Sequence, residues 1–146
     1  MNSPRVLVAG TALAQVLRLD EPLSFWGGLH VPTGTINDVH HPQYGQCVTG
    51  RIVVMPYARG SSSTANSLAE AIHARTGPKG IVMAEPDEIV VLGATVAGEL
   101  YDEWIPVVIA APDDYAALVD GLWLRIEADG SMSWPVVRSP EGDRPR

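Results

Sequence analysis

The chain has 146 residues, of which 46% are hydrophobic and 18% are charged, a composition that is typical of a folded globular protein and excludes a disordered chain. This length predicts one domain that buries roughly 70% of the surface of its unfolded chain. The formal net charge of −7 disfavours nucleic acid and anionic membranes as partners, but it still allows a local site for a small anion.

The first third of the chain predicts two strands followed by a long loop. Residues 4–9 and 11–18 are apolar runs on either side of Gly10. They faintly resemble a signal peptide, but one leading charge and several polar interruptions favour two strands and a cytoplasmic location. Residues 19–50 are rich in Gly and Pro, which predicts an ordered loop with many turns, and loops of this length are usually functional.

The middle of the chain alternates between strand and helix patterns. Residues 50–56 predict a buried strand, and apolar residues at helical spacing predict a helix over about 63–75 that stops at Gly77-Pro78. Residues 80–84 predict the next strand. The pattern therefore indicates strand–helix–strand units and a mixed sheet.

The remaining elements are shorter. Residues 85–87 predict a solvated turn before the apolar run 88–92, and residues 93–100 predict a short helix rich in small residues. Further on, we predict a strand over 105–110, a helical turn over 113–119 and, around Asp129-Gly130, a hairpin of 122–128 with 131–137. We expect one α/β domain over 1–138 and a disordered tail over 139–146.

The junction between the strand 50–56 and the following helix carries the candidate chemistry. It reads Arg59-Gly60-Ser61-Ser62-Ser63. The first N–H groups of a helix lack internal partners and its dipole makes that end electropositive, so such a junction binds carboxylate or phosphate. The arginine and three hydroxyls indicate an anion site with a serine capable of proton chemistry.

Cys47 is the only cysteine. One thiol forms neither an internal disulfide nor a metal site of its own, so we interpret Cys47 as a packing residue and expect no metal site in this chain. The apolar runs are all shorter than a membrane span.

Several motifs, in the same order along the chain, resemble the small swivel component of the aconitase X family. The matching residues are Ser24-Phe25-Trp26-Gly27-Gly28, Pro32-Thr33-Gly34, Asp38, His41-Pro42, Gly50-Arg51, Arg59-Gly60-Ser61, Leu92-Gly93-Ala94, Glu99-Leu100 and Ile105-Pro106. The resemblance covers roughly residues 10–110. The sequence departs from the family pattern at Ser62, where relatives often have Cys, at Thr64, where they often have Gly, and within 28–32, where an Asp is missing.

The resemblance implies a swivelling β/β/α fold, with a mixed sheet sandwich or barrel and two or three helices. It implies a hydro-lyase that dehydrates cis-3-hydroxy-L-proline or mevalonate 5-phosphate, with the loop serine, here Ser61, as proton acceptor or donor. It also implies a large catalytic partner that holds iron or an iron–sulfur cluster. Because a cluster needs several thiolates, the single Cys47 would leave this chain alone without metal and inactive.

Each candidate residue also has a structural interpretation. Ser61 can simply cap the helix, although the resemblance favours catalysis. Arg59 is either a surface ion-pair partner or a clamp on a substrate carboxylate, and Gly60, Ser62 and Ser63 are assigned to substrate binding with it. Asp38 and His41 are also candidates for substrate binding, but each can instead anchor the loop by hydrogen bonds.

Two functional hypotheses stay open at this point. One is a subunit of an iron-dependent dehydratase that acts on a hydroxy-carboxylate, with hydroxyproline favoured over mevalonate phosphate. The other is a stand-alone, non-catalytic swivel module that binds an anion or a protein. Of the adjacent loop residues Phe25 and Trp26, we expect one to pack in the core and the other to lie at an interface.

Overall fold

The computed structural model of the chain describes residues 4–60 and 63–135. Its main feature is a seven-stranded mixed sheet with the order β1-β7-β6-β5-β2-β8-β9. The strands are β1 (Arg5–Val8), β2 (Ala12–Arg18), β5 (Ile52–Met55), β6 (Gly80–Met83), β7 (Val107–Ile109), β8 (Trp123–Ile126) and β9 (Met132–Ser133). The short strands β3 (Leu29–His30) and β4 (Thr35–Ile36) form a separate antiparallel pair.

The centre of the sheet is parallel and its margins are antiparallel. Strands β2, β5, β6 and β7 run in the same direction, whereas β1 is antiparallel to β7, and β8 is antiparallel to both β2 and β9. Two strand–helix–strand units connect the parallel strands, through α1 (Ser63–His73) and α2 (Glu88–Tyr101). The connection from β2 to β5 is instead the long segment 19–51, which contains the β3–β4 hairpin.

Both faces of the sheet are buried. Along β5, Val53 and Met55 belong to a core shared with the two long helices, and Ile52 and Val54 belong to a second core on the other face. The sheet curls around the second core as a half-barrel, and Leu118 after α3 (Pro112–Ala117) helps to fill it. Burial on both faces explains why β5 is a continuous apolar run.

Most predicted elements are confirmed, but the start of α2 was predicted wrongly. The helix begins at Glu88 and not at 93, because Asp87 caps it: Asp87 Oδ1 accepts hydrogen bonds from the backbone N–H groups of Ile89 and Val90, at 2.9 and 3.1 Å. Asp87 is therefore not part of a merely solvated turn. Gly93 lies inside the helix, where a Cβ would come within 2.9 Å of the Ala65 carbonyl oxygen of α1, so this glycine allows the two helices to pack closely.

The predicted hairpin at Asp129-Gly130 is confirmed by the pairing of β8 with β9. The loop aromatics divide as expected in their exposure, since Phe25 is fully buried and Trp26 is 61% exposed. The predicted tail 139–146 lies outside the described residues, as does the end of the predicted strand 131–137. The domain boundary at 138 stays a prediction.

Candidate functional site

Arg59 and two acidic residues lie in loops at the edge of the sheet where the parallel strands end. Glu21, Arg59 and Asp87 follow β2, β5 and β6, which are neighbours in the sheet. Ligands of open parallel sheets bind beyond the carboxyl ends of the strands, where the connecting loops begin. The N-terminus of α1 lies at the same edge, because α1 follows the loop after β5.

The loop after β5 bends sharply at Gly60. This residue has a φ of +120°, and a Cβ there would overlap Thr64 Oγ1 and lie 2.7 Å from Ser24 Oγ. The left-handed φ and the lack of space both require glycine. The bend brings the chain from the end of β5 into α1 within a few residues.

The loop after β2 runs beside this bend. Leu23 and Ala58 form a parallel bridge, and the Arg59 N–H donates to the Leu23 carbonyl oxygen at 3.1 Å. Ser24 Oγ donates to the Trp26 carbonyl oxygen at 2.7 Å and lies 3.4 Å from Oγ1 of the buried Thr64. The segment around Trp26 is therefore adjacent to the Arg59-Gly60 bend, as the candidate site requires.

Asp87 ties the third loop to the same bend. Its second carboxylate oxygen, Oδ2, accepts a hydrogen bond from the Ala58 N–H at 3.2 Å, while Oδ1 caps α2. This role was not predicted, although an acidic residue directly before an apolar helical segment is a helix-start signal in the sequence. One side chain thus fixes the approach to Arg59 and the start of α2 together.

Arg59 faces a carboxylate of the neighbouring loop. Its Nη2 lies 3.7 Å from Glu21 Oε1, and both side chains are about half exposed, at 51% and 50%. An exposed pair at this distance stabilises the fold little. Arg51 lies elsewhere: it precedes β5, donates to the carbonyl oxygens of Gln15 and Val16, and faces Asp120 at 3.7 Å.

His41 is buried and both of its ring nitrogens contact the main chain. Nδ1 accepts from the Gln43 N–H at 3.0 Å, so in the neutral ring Nε2 carries the proton and donates to the Glu21 carbonyl oxygen at 3.1 Å. Asp38 Oδ1 accepts from the His40 N–H at 2.9 Å, as in an Asx turn. These contacts favour the anchoring interpretation of both residues, and a direct contact with substrate stays a prediction.

The serines of the junction can be placed only in part. Ser61 and Ser62 lie outside the described residues, and Ser63 is the first described residue of α1, where it is exposed. The first turn of α1 contains no acidic residue, so no side chain of that turn neutralises its electropositive end. The assignments of Ser61 to catalysis and of Ser62, Ser63 and Gly60 to substrate binding stay predictions.

A cavity of about 690 Å³ lies at the opposite edge of the sheet, away from these residues. Its lining comes from segments that precede the parallel strands, including Thr11, Thr49, Lys79 and Trp104. Because Arg59, Glu21 and Gly60 do not line it, the cavity is not part of the candidate site. The chemistry-bearing residues lie on an open edge instead.

The described residues do not fit an iron–sulfur cluster. No group of three or more potential metal ligands occurs among residues 4–60 and 63–135. The prediction that Cys47 packs in the interior is wrong, because its side chain is exposed and its thiol donates to the Thr33 carbonyl oxygen at 3.5 Å. A cluster requires several thiolates, and the whole sequence has one cysteine.

Within the described segments, no helix has the length and apolar character needed to span a bilayer.

Fold and site together define a half-barrel α/β domain whose candidate residues lie in loops at the carboxyl edge of its parallel strands. Residues 2–134 match the family model described as the aconitase X swivel domain. The chain therefore belongs to the aconitase X swivel domain family, as the motifs around Trp26, His41 and Gly60 predicted.

Individual relatives agree with this assignment. The chain is 39% identical over 131 residues to cis-3-hydroxy-L-proline dehydratase of Pseudomonas aeruginosa, covering 88% of this chain and 22% of the relative. It is 30% identical to the phosphomevalonate dehydratase small subunit of Methanothermobacter thermautotrophicus, covering 86% of this chain and 92% of the relative. The crystal structure of Thermococcus kodakaraensis aconitase X, in its holo-form, matches with a TM-score of 0.81 at 30% identity and covers 92% of this chain and 97% of that one.

The relatives differ in length. The chain spans less than a quarter of the Pseudomonas protein and of a second cis-3-hydroxy-L-proline dehydratase from Hypocrea jecorina, at 22% and 23%. It spans most of the archaeal small subunit. The swivel domain thus occurs both within a long polypeptide and as a short chain.

Proposed function

We propose that this chain is the swivel part of an aconitase X-type dehydratase, that its substrate is cis-3-hydroxy-L-proline, and that Ser61 exchanges the proton. The observation that carries the proposal is the Arg59-Gly60 bend, which joins the end of β5 to the start of α1 beside the loop that contains Trp26. The family membership supports the class of reaction, and the 39% identity to the Pseudomonas dehydratase supports the substrate.

In the proposed reaction, this chain transfers one proton. In a dehydration, a base removes a proton from carbon, the neighbouring carbon–oxygen bond breaks, and water leaves. A serine acts as such a base only when its alkoxide is stabilised by donors and positive charge. The N-terminal N–H groups of α1 and the guanidinium of Arg59 are suited to that role, because α1 has no acidic residue in its first turn.

The charges at the carboxyl edge favour a zwitterionic substrate. Asp20 and Glu21 follow β2, while Glu85 and Glu88 flank the Asp87 cap after β6. Arg59, which faces Glu21 at 3.7 Å, offers a donor for one carboxylate, and the acidic groups of these loops would attract an ammonium group and repel a doubly charged phosphate. An amino acid such as hydroxyproline therefore fits this edge better than a phosphorylated substrate does.

We further propose that the rest of the active site, including any iron or iron–sulfur cluster, belongs to a large catalytic part. That part is either a separate chain that forms a heteromer with this one or a continuation of the same polypeptide, and the relatives support both forms. The single cysteine and the open site edge support this division. The exposed Cys47 thiol and the net charge of −7 support a reducing cytoplasm as the location and disfavour nucleic-acid or membrane partners.

A second candidate substrate is mevalonate 5-phosphate. It is favoured by relatives named as phosphomevalonate dehydratase small subunits, such as that of Methanothermobacter thermautotrophicus, which this chain nearly matches in length. In this case the phosphate would bind at the N-terminus of α1. The acidic groups around Arg59 are the reason to place this candidate second.

The test is activity of the assembled enzyme towards both substrates. The wild-type enzyme should dehydrate cis-3-hydroxy-L-proline, and Ser61→Ala should lower kcat by about 100-fold or more, as expected for loss of an acid–base group. Ser133→Ala is the matched control, because Ser133 lies on the distant strand β9 and should leave kcat unchanged. Full activity of Ser61→Ala would refute the role of the serine, and activity on mevalonate 5-phosphate alone would refute the preferred substrate.

A further inference from the structure

Two segments of the long β2–β5 connection are fastened together beside Arg59. The Asp20 N–H donates to Gln43 Oε1 and Gln43 Nε2 donates to Asp20 Oδ2, both at 3.0 Å. His41 Nε2 donates to the Glu21 carbonyl oxygen at 3.1 Å. We call these three hydrogen bonds the clasp; it fixes the backbone of residues 20–21 to residues 41–43.

The clasp fixes the backbone of the residue whose side chain faces Arg59. Glu21 receives the His41 hydrogen bond on its main chain and directs its carboxylate towards Arg59 Nη2 at 3.7 Å. This distance exceeds that of a good hydrogen bond. Glu21 can therefore orient the guanidinium electrostatically while leaving the guanidinium donors, which suit a carboxylate in bidentate geometry, available for a ligand.

We propose that His41 and Gln43 are positioning residues for Arg59: through Glu21 they hold its guanidinium where it binds the carboxylate of the substrate. The inference rests on the proposed function, which supplies the carboxylate for Arg59. It also gives His41 a place in substrate binding without direct contact. Its burial at 4% exposure and its two main-chain hydrogen bonds fit an indirect role.

A purely structural clasp would behave differently. If the clasp only stabilised the loop, breaking it would affect ligand binding to the same extent whether Arg59 is present or not. If it positions Arg59, breaking it matters only while the guanidinium is there. Non-additivity between neighbouring residues in a double-mutant cycle separates these two cases.

The experiment measures the affinity of the assembled enzyme for L-proline by titration calorimetry. L-proline carries the ring and carboxylate of the proposed substrate but has no hydroxyl to eliminate, so its binding does not depend on turnover. Gln43→Met removes the two clasp hydrogen bonds with Asp20 at a half-buried side chain and retains the hydrogen bond from the buried His41 to Glu21. Gln46→Met is the matched control: it makes the same substitution at an exposed position in the same loop.

We expect Arg59→Met to weaken L-proline binding about 10-fold or more, because it removes a charge-assisted hydrogen bond to the carboxylate. Gln43→Met should weaken binding only about 3- to 5-fold, because it leaves the Arg59 guanidinium in place and loosens its positioning. Gln46→Met should change affinity by less than about 1.5-fold, and so should Gln43→Met in the Arg59→Met background. With hydroxyproline as substrate, Gln43→Met should raise KM by about the same 3- to 5-fold and change kcat less. His41→Gln, which retains an amide donor towards Glu21, should weaken binding less than His41→Leu.

Three results would overturn the inference: no effect of Gln43→Met, an equal effect in both backgrounds, or normal L-proline binding by Arg59→Met. The proposed function fails separately. An enzyme that binds L-proline with the expected pattern but dehydrates neither substrate would retain the clasp and lose the dehydratase assignment.

Discussion

Replacing Gly60 by alanine tests the bend on which the candidate site depends. The residue has a φ of +120°, a conformation that L-residues rarely adopt. The new Cβ would also overlap Thr64 Oγ1 and lie 2.7 Å from Ser24 Oγ. Neither hydroxyl can move without a cost, because Thr64 is fully buried and Ser24 Oγ donates to the Trp26 carbonyl oxygen.

The expected loss of stability follows from these two contributions. A non-glycine residue in a sparsely populated region of φ/ψ space costs about 1–3 kcal/mol. Displacing a buried hydroxyl from its hydrogen bond adds about 0.5–1.5 kcal/mol. We therefore expect Gly60→Ala to lower the free energy of unfolding by about 2–4 kcal/mol, and to lower kcat of the assembled enzyme because the start of α1 shifts.

Urea unfolding of the purified chain measures the first effect, and Gly45→Ala provides its control. Gly45 also has a positive φ, +89°, but a Cβ there would meet no heavy atom within 4 Å. Its substitution should therefore cost only the backbone strain, about 1 kcal/mol. If Gly60→Ala costs no more than Gly45→Ala, the contacts with Ser24 and Thr64 do not restrict the bend, and our account of this loop is wrong.

Two further substitutions test other parts of the fold. Asp87→Ala should lower the free energy of unfolding by about 1–2 kcal/mol through loss of the α2 cap. Asp87→Asn should lower it less, because it loses mainly the hydrogen bond from Ala58. Urea unfolding distinguishes the two variants, with the exposed Glu85→Ala as control. Burial raises the pKa of the Tyr115 hydroxyl, against a smaller opposing effect of Arg18, so the folded state holds this proton more tightly than the unfolded chain does. The free energy of unfolding should therefore fall as the pH rises through about 10 and above. Tyr115→Phe should reduce that fall, while Tyr57→Phe should not. Equal slopes of the free energy of unfolding against pH for the two variants would contradict the assignment.

Local sequence patterns predicted most of the helices and strands, because apolar periodicity and boundary residues such as Gly and Pro indicate these elements. The apolar run of β5 and the helical spacing in α1 each indicate one structure, and both are confirmed. The start of α2 was predicted wrongly because a glycine such as Gly93 usually marks the boundary of a helix. In the structure this glycine lies inside the helix and permits close contact with α1, and a close contact between distant segments leaves no local signal in the sequence.

The sequence predicted the position of the candidate site, but it did not predict the contacts between the residues of the site. A strand, a glycine and a helix start in succession indicate an anion site, so Arg59 and Gly60 could be singled out. Their partners Glu21 and Asp87 lie in other loops, and only the order of the strands shows that these loops are neighbours. The clasp was not predicted for the same reason, because its hydrogen bonds join residues 20–21 to residues 41–43. The turn residues of the long β2–β5 connection predicted only that it is ordered.

The order of the strands explains why three charged residues from separate loops meet at the candidate site. Strands β2, β5 and β6 lie side by side and are parallel, so the loops that follow them reach one edge and bring Glu21, Arg59 and Asp87 together. Each of these residues is held by its neighbours: Asp87 by the start of α2, the Glu21 main chain by His41 and the Arg59 main chain by Leu23. Such an edge can orient a carboxylate and stabilise a negative charge, but it is open to solvent on its outer side and water would weaken every charge interaction there. The proposed elimination would need a surface that covers this edge and excludes water, and the proposed large catalytic part is the expected source of that surface.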